Sequence, residues 1–171
     1  FGDGAAAVCV EASEDKDGPG LLSRKFETYG EGKDLATLRS GGTRVRADAT
    51  DALMEGSKFR MDAFGIFKAA ARGLPKLLDR VLKDAGVDRE TVDLVVCHQA
   101  SHPGVEHVRR LMGGDPGRIV DIFGTHGNQI AASLPMALVT ALREGRIQPG
   151  AKVLLRGAAA GISTAAMVLR F

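Results

Sequence analysis

The chain of 171 residues has only two cysteines, Cys9 and Cys97. They lie far apart, each inside an apolar run, which argues against a disulfide framework and fits reduced thiols in a cytoplasmic protein. Apolar runs long enough to span a bilayer are missing, and so is the charged-then-apolar leader of a secreted protein. A soluble intracellular protein is expected. Aromatic residues make up only 5% of the chain, no basic tract is interleaved with them, and the net charge is just +2. That leaves no electrostatic footprint for nucleic acid. Arg109, Arg110 and Arg118 read as a solvated face, with docking of an acidic partner as the alternative. No internal repeat is visible.

What the sequence does have is apolar content, 44% of the chain, enough to bury one substantial core. A single domain over residues 1–171 is the expectation. The opening Phe1-Gly2-Asp3-Gly4 runs straight into an Ala- and Val-rich stretch with no initiator methionine. It reads as a chain cut open at a turn, with a preceding segment missing.

Residues 5–12 read as a buried strand after that turn, and 21–29 as a second extended stretch. Residues 30–56 carry little periodicity. From 59 to 85, Phe64, Phe67, Leu74, Leu77, Leu78, Val81 and Leu82 recur at separations of three and four, the pattern of an amphipathic helix. Pro75 is expected to kink or break it. Residues 92–97 form an apolar run suited to a strand buried on both faces. Pro103 then starts a helix to Met112, with Ser101 or His102 near its cap. A strand at 118–123, a loop at 125–128, a helix at 130–144, a strand at 153–155, a small-residue loop at 157–161 and a strand at 163–170 complete the order. Alternation of this kind predicts a layered α/β domain with helices on a mixed sheet, its ligands at the carboxyl ends of strands.

Two such ends carry polar residues with chemical potential. His98 follows the 92–97 strand, and Asn128 lies thirty positions on, after the next strand. On neighbouring strands both side chains converge on one point, where a histidine N–H and an asparagine amide suit a carbonyl taking up negative charge as an enolate. On the residues alone the plainer alternative is the stronger one: a structural histidine and a helix-capping asparagine. Cys97 adjoins His98, but strand neighbours point to opposite faces, so a thiolate–imidazole pair is not expected. Cys97 and Cys9 both read as core. His98, His102, His107 and His126 span a strand end, a cap, a helix and a loop without a clustered carboxylate or cysteine set, so no metal site is assigned. Gly157 to Gly161 is either a plain turn or a loop whose small side chains let a backbone N–H approach a reacting oxygen.

Taken together, FGDGAAAV at the start, CHQAS at 97–101, HGNQIAASLPMAL at 126–138, GRIQPG at 145–150 and VLLRGAAAGIS with the terminal VLRF resemble the β-ketoacyl-acyl carrier protein synthase III family. The resemblance spans the chain, in order. It implies the C-terminal half of a thiolase-like fold, layered helices on a mixed five-stranded sheet, in an obligate homodimer. A cysteine in the missing N-terminal half would take an acyl group from coenzyme A or acyl carrier protein and pass it to a decarboxylating malonyl thioester. His98 and Asn128 match the residues that stabilise the enolate, and Ala160 the backbone donor of the acyl oxyanion hole. Met61, Phe67, Ala100 and Ser101 match substrate-binding positions, the first two along the pantetheine tunnel. No cofactor is implied beyond coenzyme A or phosphopantetheine as substrate carrier.

The sequence departs from the family at Pro103, where a carrier-docking arginine is usual, at Ser101 for asparagine, and in an alanine-rich loop. Arg156 stands where an acidic or neutral residue is more usual. It reads either as a surface or structural residue or as a contact for the carboxylate of an acidic acyl chain. Acyl transfer to an oxygen or nitrogen acceptor, and an inactive binding or dimerisation module, are the alternative functions. Without the cysteine this chain alone is expected to be inert.

Overall fold

The computed structural model describes residues 1–43 and 50–171. The part of the poorly patterned 30–56 stretch at 44–49 lies outside them. In chain order the elements are β1 (Gly20–Thr28), β2 (Ala36–Thr37), α1 (Thr50–Gly56), β3 (Arg60–Met61), α2 (Ala63–Ala85), β4 (Leu94–Cys97), α3 (His102–Leu111), β5 (Ile119–Val120), α4 (Phe123–His126), α5 (Ser133–Arg143), β6 (Lys152–Ala159) and β7 (Ser163–Arg170). The chain divides into two compact units, one of residues 1–26, 74–157 and 165–171, the other of 27–73 and 158–164.

A five-stranded sheet in the order β1-β7-β6-β4-β5 organises the first unit. β4 lies parallel to both β5 and β6, and the three-residue connection from β6 to β7 makes a hairpin, so the sheet is mixed. All four residues of β4 are buried, because helices cover both faces. Val95, Cys97 and Leu154 pack with Leu77, Leu78 and Val81 of α2 and with Val105 and Val108 of α3. Leu94, Val96 and Val153 pack on the other face with Ala137, Leu138 and Ala141 of α5. Strand alternation thus divides one apolar run between two cores.

The helical period predicted for α2 holds through Leu74, Leu77, Leu78, Val81 and Leu82, all buried. Pro75 does not break it: the helix runs unbroken from Ala63 to Ala85. A proline inside a helix forfeits one backbone bond at a cost of roughly 3 kcal/mol. The buried leucines on either side of Pro75 offset that cost.

In the second unit, β2 and β3 pair antiparallel. Tyr29 and Ile162 exchange both backbone hydrogen bonds, at 2.7 and 2.9 Å. Asp62 caps the start of α2 by accepting from Gly65 N at 2.8 Å. Phe64, expected on the buried face of the helix, is 74% exposed, and Phe67 is exposed as well.

Other expectations are overturned. Residues 5–12 form no strand and are exposed, because the sheet ends at β1 and nothing pairs with their backbone among the described residues. Cys9 is therefore exposed and not core, while Cys97 is buried. Arg118 is no solvated cation: its guanidinium donates to Val92 O at 3.0 Å, to Met112 O and to Arg89 O, gathering carbonyls at the ends of connecting segments. Arg109 is also partly buried, held by Glu106 at 2.6 Å. Residues 157–159, expected in a loop, continue β6. Thr125 and His126 belong to α4 and not to a loop. No helix among the described residues is long and apolar enough to cross a membrane.

Burial pushes the Cys97 thiol up to about 11, whereas Cys9 is open to reagents. Titration of the folded chain at neutral pH with a disulfide reagent is expected to modify Cys9 rapidly and Cys97 only after denaturant is added. Two equally fast thiols would contradict the burial described.

Candidate active site

His98 begins where β4 ends. Its backbone N donates to Arg156 O of β6 at 2.8 Å, so the main chain is still held on that side as it leaves the sheet. The imidazole is half-buried, and the histidine's pKa is lowered first by burial and second by the nearby Arg156 guanidinium. Both effects favour the neutral ring.

Asn128 lies beyond β5, the parallel neighbour of β4, so the two segments that carry the pair leave adjacent strands at their carboxyl ends. Its Oδ1 accepts from Ile130 N at 2.9 Å, closing an Asx turn. That use of the oxygen leaves the Nδ2 amino group as the side chain's donor. Ile130 adopts φ 56°, a left-handed conformation that a β-branched residue takes only when its surroundings impose it.

Opposite this turn lies the N-terminal Gly2-Asp3-Gly4. Gly2 N donates to Asn128 O at 2.9 Å, and Gln129 Nε2 donates to Asp3 O at 2.7 Å. A Cβ on Gly2 would stand 1.8 Å from His126 O, and one on Gly4 would stand 2.1 Å from Gln129 Nε2. At Gly2 the obstructing atom is backbone, so only glycine permits so close an approach there. Gly127 has φ 65° and ψ −163°, a region open essentially to glycine alone. Gln129 N donates to Ser133 Oγ at 3.1 Å, which ties the segment to the start of α5.

Gln99 is wholly buried. Its Nε2 donates to Cys97 O at 2.8 Å and Val120 O at 3.0 Å, and its Oε1 accepts from Ile122 N at 3.1 Å. Ala100 is exposed. Ser101 caps α3, its Oγ accepting from Gly104 N at 3.2 Å, with Pro103 in the first turn.

Arg156, in register with Cys97, is only 8% exposed, so the reading of it as a surface residue is overturned. Its Nε has no hydrogen-bond partner among the described residues. In the second unit, Ala160 lies in the turn between β6 and β7, and Met61 and Phe67 are exposed. Among the described residues, no three His, Cys, Asp or Glu side chains group as a metal site.

Sequence reasoning missed Gln99, Gln129, Gly2, Gly4 and Ile130 as parts of this region. A polar residue two places beyond an apolar strand carries no periodic signal, and a positive φ at isoleucine leaves none either.

The fold so described is the thiolase-like class, an α/β sheet layered with helices. The crystal structure of 3-oxoacyl-(acyl carrier protein) synthase III from Pseudomonas aeruginosa superimposes with a TM-score of 0.79 at 26% identity, covering 94% of this chain and 47% of that one. The enzyme of the same type from Thermus thermophilus gives 0.79 at 29% identity over 91% of this chain and 47% of its own. Xanthomonas campestris OleA, at 21% identity and a TM-score of 0.73, shares the fold. The family described as 3-oxoacyl-[acyl-carrier-protein (ACP)] synthase III C terminal matches residues 82–171, and the chain belongs to it. Beta-ketoacyl-[acyl-carrier-protein] synthase III of Erythrobacter litoralis is 34% identical over 172 aligned residues, all of this chain and 51% of that protein. The chain thus spans about half the length of the relatives it matches.

Gly127→Ala is expected to destabilise the chain by about 1–3 kcal/mol, the cost of forcing a side chain into that backbone region. Urea unfolding monitored by circular dichroism checks it, and an unchanged midpoint would refute the strained geometry.

Proposed function

We propose that this chain is the C-terminal catalytic half of a condensing enzyme that joins an acyl primer to a malonyl thioester with loss of carbon dioxide. The observation that carries the reading is the pairing of β4 with β5, which sends His98 and Asn128 out from adjacent strand ends. A missing N-terminal half supplies the acyl-accepting cysteine. The malonyl C–C bond breaks, carbon dioxide leaves, and the electron pair becomes an enolate whose oxygen accepts from His98 and Asn128. The enolate carbon then attacks the acyl thioester, and the cysteine thiolate departs.

Each aimed donor contributes roughly 2.7–4 kcal/mol to such a step. The occupied Oδ1 of Asn128 and the neutral His98 both suit donation. Simple transfer to an oxygen or nitrogen acceptor has no enolate to stabilise, and two such donors would be without a task there. Ala160 N serves as one acyl oxyanion donor. Ala100 and Ser101 border the pantetheine arm of coenzyme A or acyl carrier protein, which arrives as substrate, and no resident cofactor is needed. The working protein is a cytoplasmic homodimer.

A second reading concerns the primer. A buried guanidinium is costly unless an anion meets it, and Arg156 is buried with its Nε unmatched among the described residues. The carboxylate of a dicarboxylic primer is the fitting anion. In the complete enzyme, Cys acylation by a glutaryl thioester is expected to outpace acylation by acetyl thioester, and Arg156→Met to reverse the order. Equal rates would reject the acidic primer.

In the complete enzyme His98→Ala or Asn128→Ala is expected to slow malonyl decarboxylation by about 10²–10³-fold while sparing acyl loading of the cysteine, as loss of one oxyanion donor does. Equal losses in both half-reactions would overturn the roles. Because His98 is held below its ordinary 6.5, the folded chain resists a proton that the unfolded chain accepts. Stability from this residue is therefore present above 6.5 and is lost as pH falls through the window beneath it. Proton NMR of the His98 ring is expected to show titration below 6.5, moving upward in Arg156→Met.

A further inference from the structure

β5 is only two residues long. Its ladder with β4 covers Val95 opposite Ile119 and Val96 opposite Val120, and then stops. In a parallel ladder a strand residue donates to the carbonyl before its partner and accepts from the N–H after it. For a partner at Asp121 those groups are Val120 O and Ile122 N. They are the two groups that the Gln99 side chain binds, at 3.0 and 3.1 Å.

We infer that Gln99 is a positioning residue: its buried carboxamide stands in for the strand peptide that would pair with Asp121, and so locks the His98 segment and the Asn128 segment into one register. The inference rests on the condensing role proposed above. The third bond, from Nε2 to Cys97 O at 2.8 Å, folds the side chain back onto its own strand. On the far side His98 N remains bonded to Arg156 O at 2.8 Å. The main chain at His98 can therefore leave β5 while staying on β6, and the gap that opens is filled by an amide with the hydrogen-bonding pattern of backbone.

The polarity of the site selects glutamine. Two carbonyl oxygens face Nε2 and one N–H faces Oε1. A glutamate would set a carboxylate oxygen against the two carbonyls, and a methionine of similar shape would leave all three backbone groups dry. Neither change touches an atom that meets the substrate. What either would alter is the aim of His98, one residue before it, and of the segment that runs from Ile122 to Asn128.

The test uses the full-length protein that carries this chain, with Gln99→Met and Gln99→Glu beside His98→Ala. Acyl loading of the cysteine and malonyl decarboxylation are measured separately at saturating substrate. The expected result is a fall in decarboxylation kcat of about 10²-fold, the effect of an ångström-scale misplacement, with malonyl KM and acyl loading unchanged. Parallel loss of loading and decarboxylation, or retention of both, would overturn the positioning role. A His98→Ala enzyme that still decarboxylates would overturn the catalytic reading. An inert His98→Ala enzyme beside a fully active Gln99→Met enzyme would overturn only the role of Gln99. Should neither glutamine variant fold, hydrogen exchange on the native protein decides. An Ile122 amide as slow as those of Val95 and Val96 supports the rung, and exchange at the rate of an exposed loop refutes it.

Discussion

The buried amide of Gln99 joins β4 to a β5 of only two residues, and the placement of both proposed donors follows from how it does so. Backbone ladders alone would end this pair of strands at Val96 and Val120. Beyond that point the two chains diverge, one toward His98 and α3, the other toward α4 and Asn128, and nothing regular in the backbone relates them. A side chain satisfying Cys97 O, Val120 O and Ile122 N restores the relation at the point where it is needed. Because those groups are shut away from water, the cost of leaving them unmade exceeds the modest net gain of making them, and this asymmetry makes such a rung specific.

Asn128 is held from its other side by a different device. The glycine at position 2 lets backbone come within hydrogen-bonding reach of the 126–129 segment, and Gly127 supplies a conformation no side chain tolerates well. The strain at Ile130 belongs to the same arrangement, since its N–H engages the Asn128 oxygen. Strain concentrated at one turn beside a candidate donor is common at functional sites, where the surrounding contacts over-determine the backbone.

Arg156 gives the region its electrostatic character. Its buried charge raises the potential around it and helps to keep His98 uncharged. The same charge partly opposes the effect of burial on the Cys97 thiol, yet burial still prevails. Cys97 therefore remains an inert core residue although it adjoins the histidine, with its side chain turned to the α2 and α3 face.

The helices and the central strands were legible because their signals are local: the spacing of Leu74, Leu77, Leu78, Val81 and Leu82, the run at 92–97, and Ser101 with Pro103 at a helix start. His98 and Asn128 could be picked out by their positions after apolar strands, and the ordered motifs pointed to the family that the match over residues 82–171 establishes. By itself the sequence determined the layered α/β class, through side-chain periodicity and chain order, while the candidate pair was singled out by the ordered motifs of the family it resembles. Only tertiary structure decided that residues 5–12 lack a strand partner among the described residues, that Arg118 gathers carbonyls, that Arg156 is buried, and that Gln99 serves as a rung. Each of these depends on which distant backbone group or neighbouring strand stands within about 3 Å, the reach of a hydrogen bond, and no spacing along the chain encodes that distance.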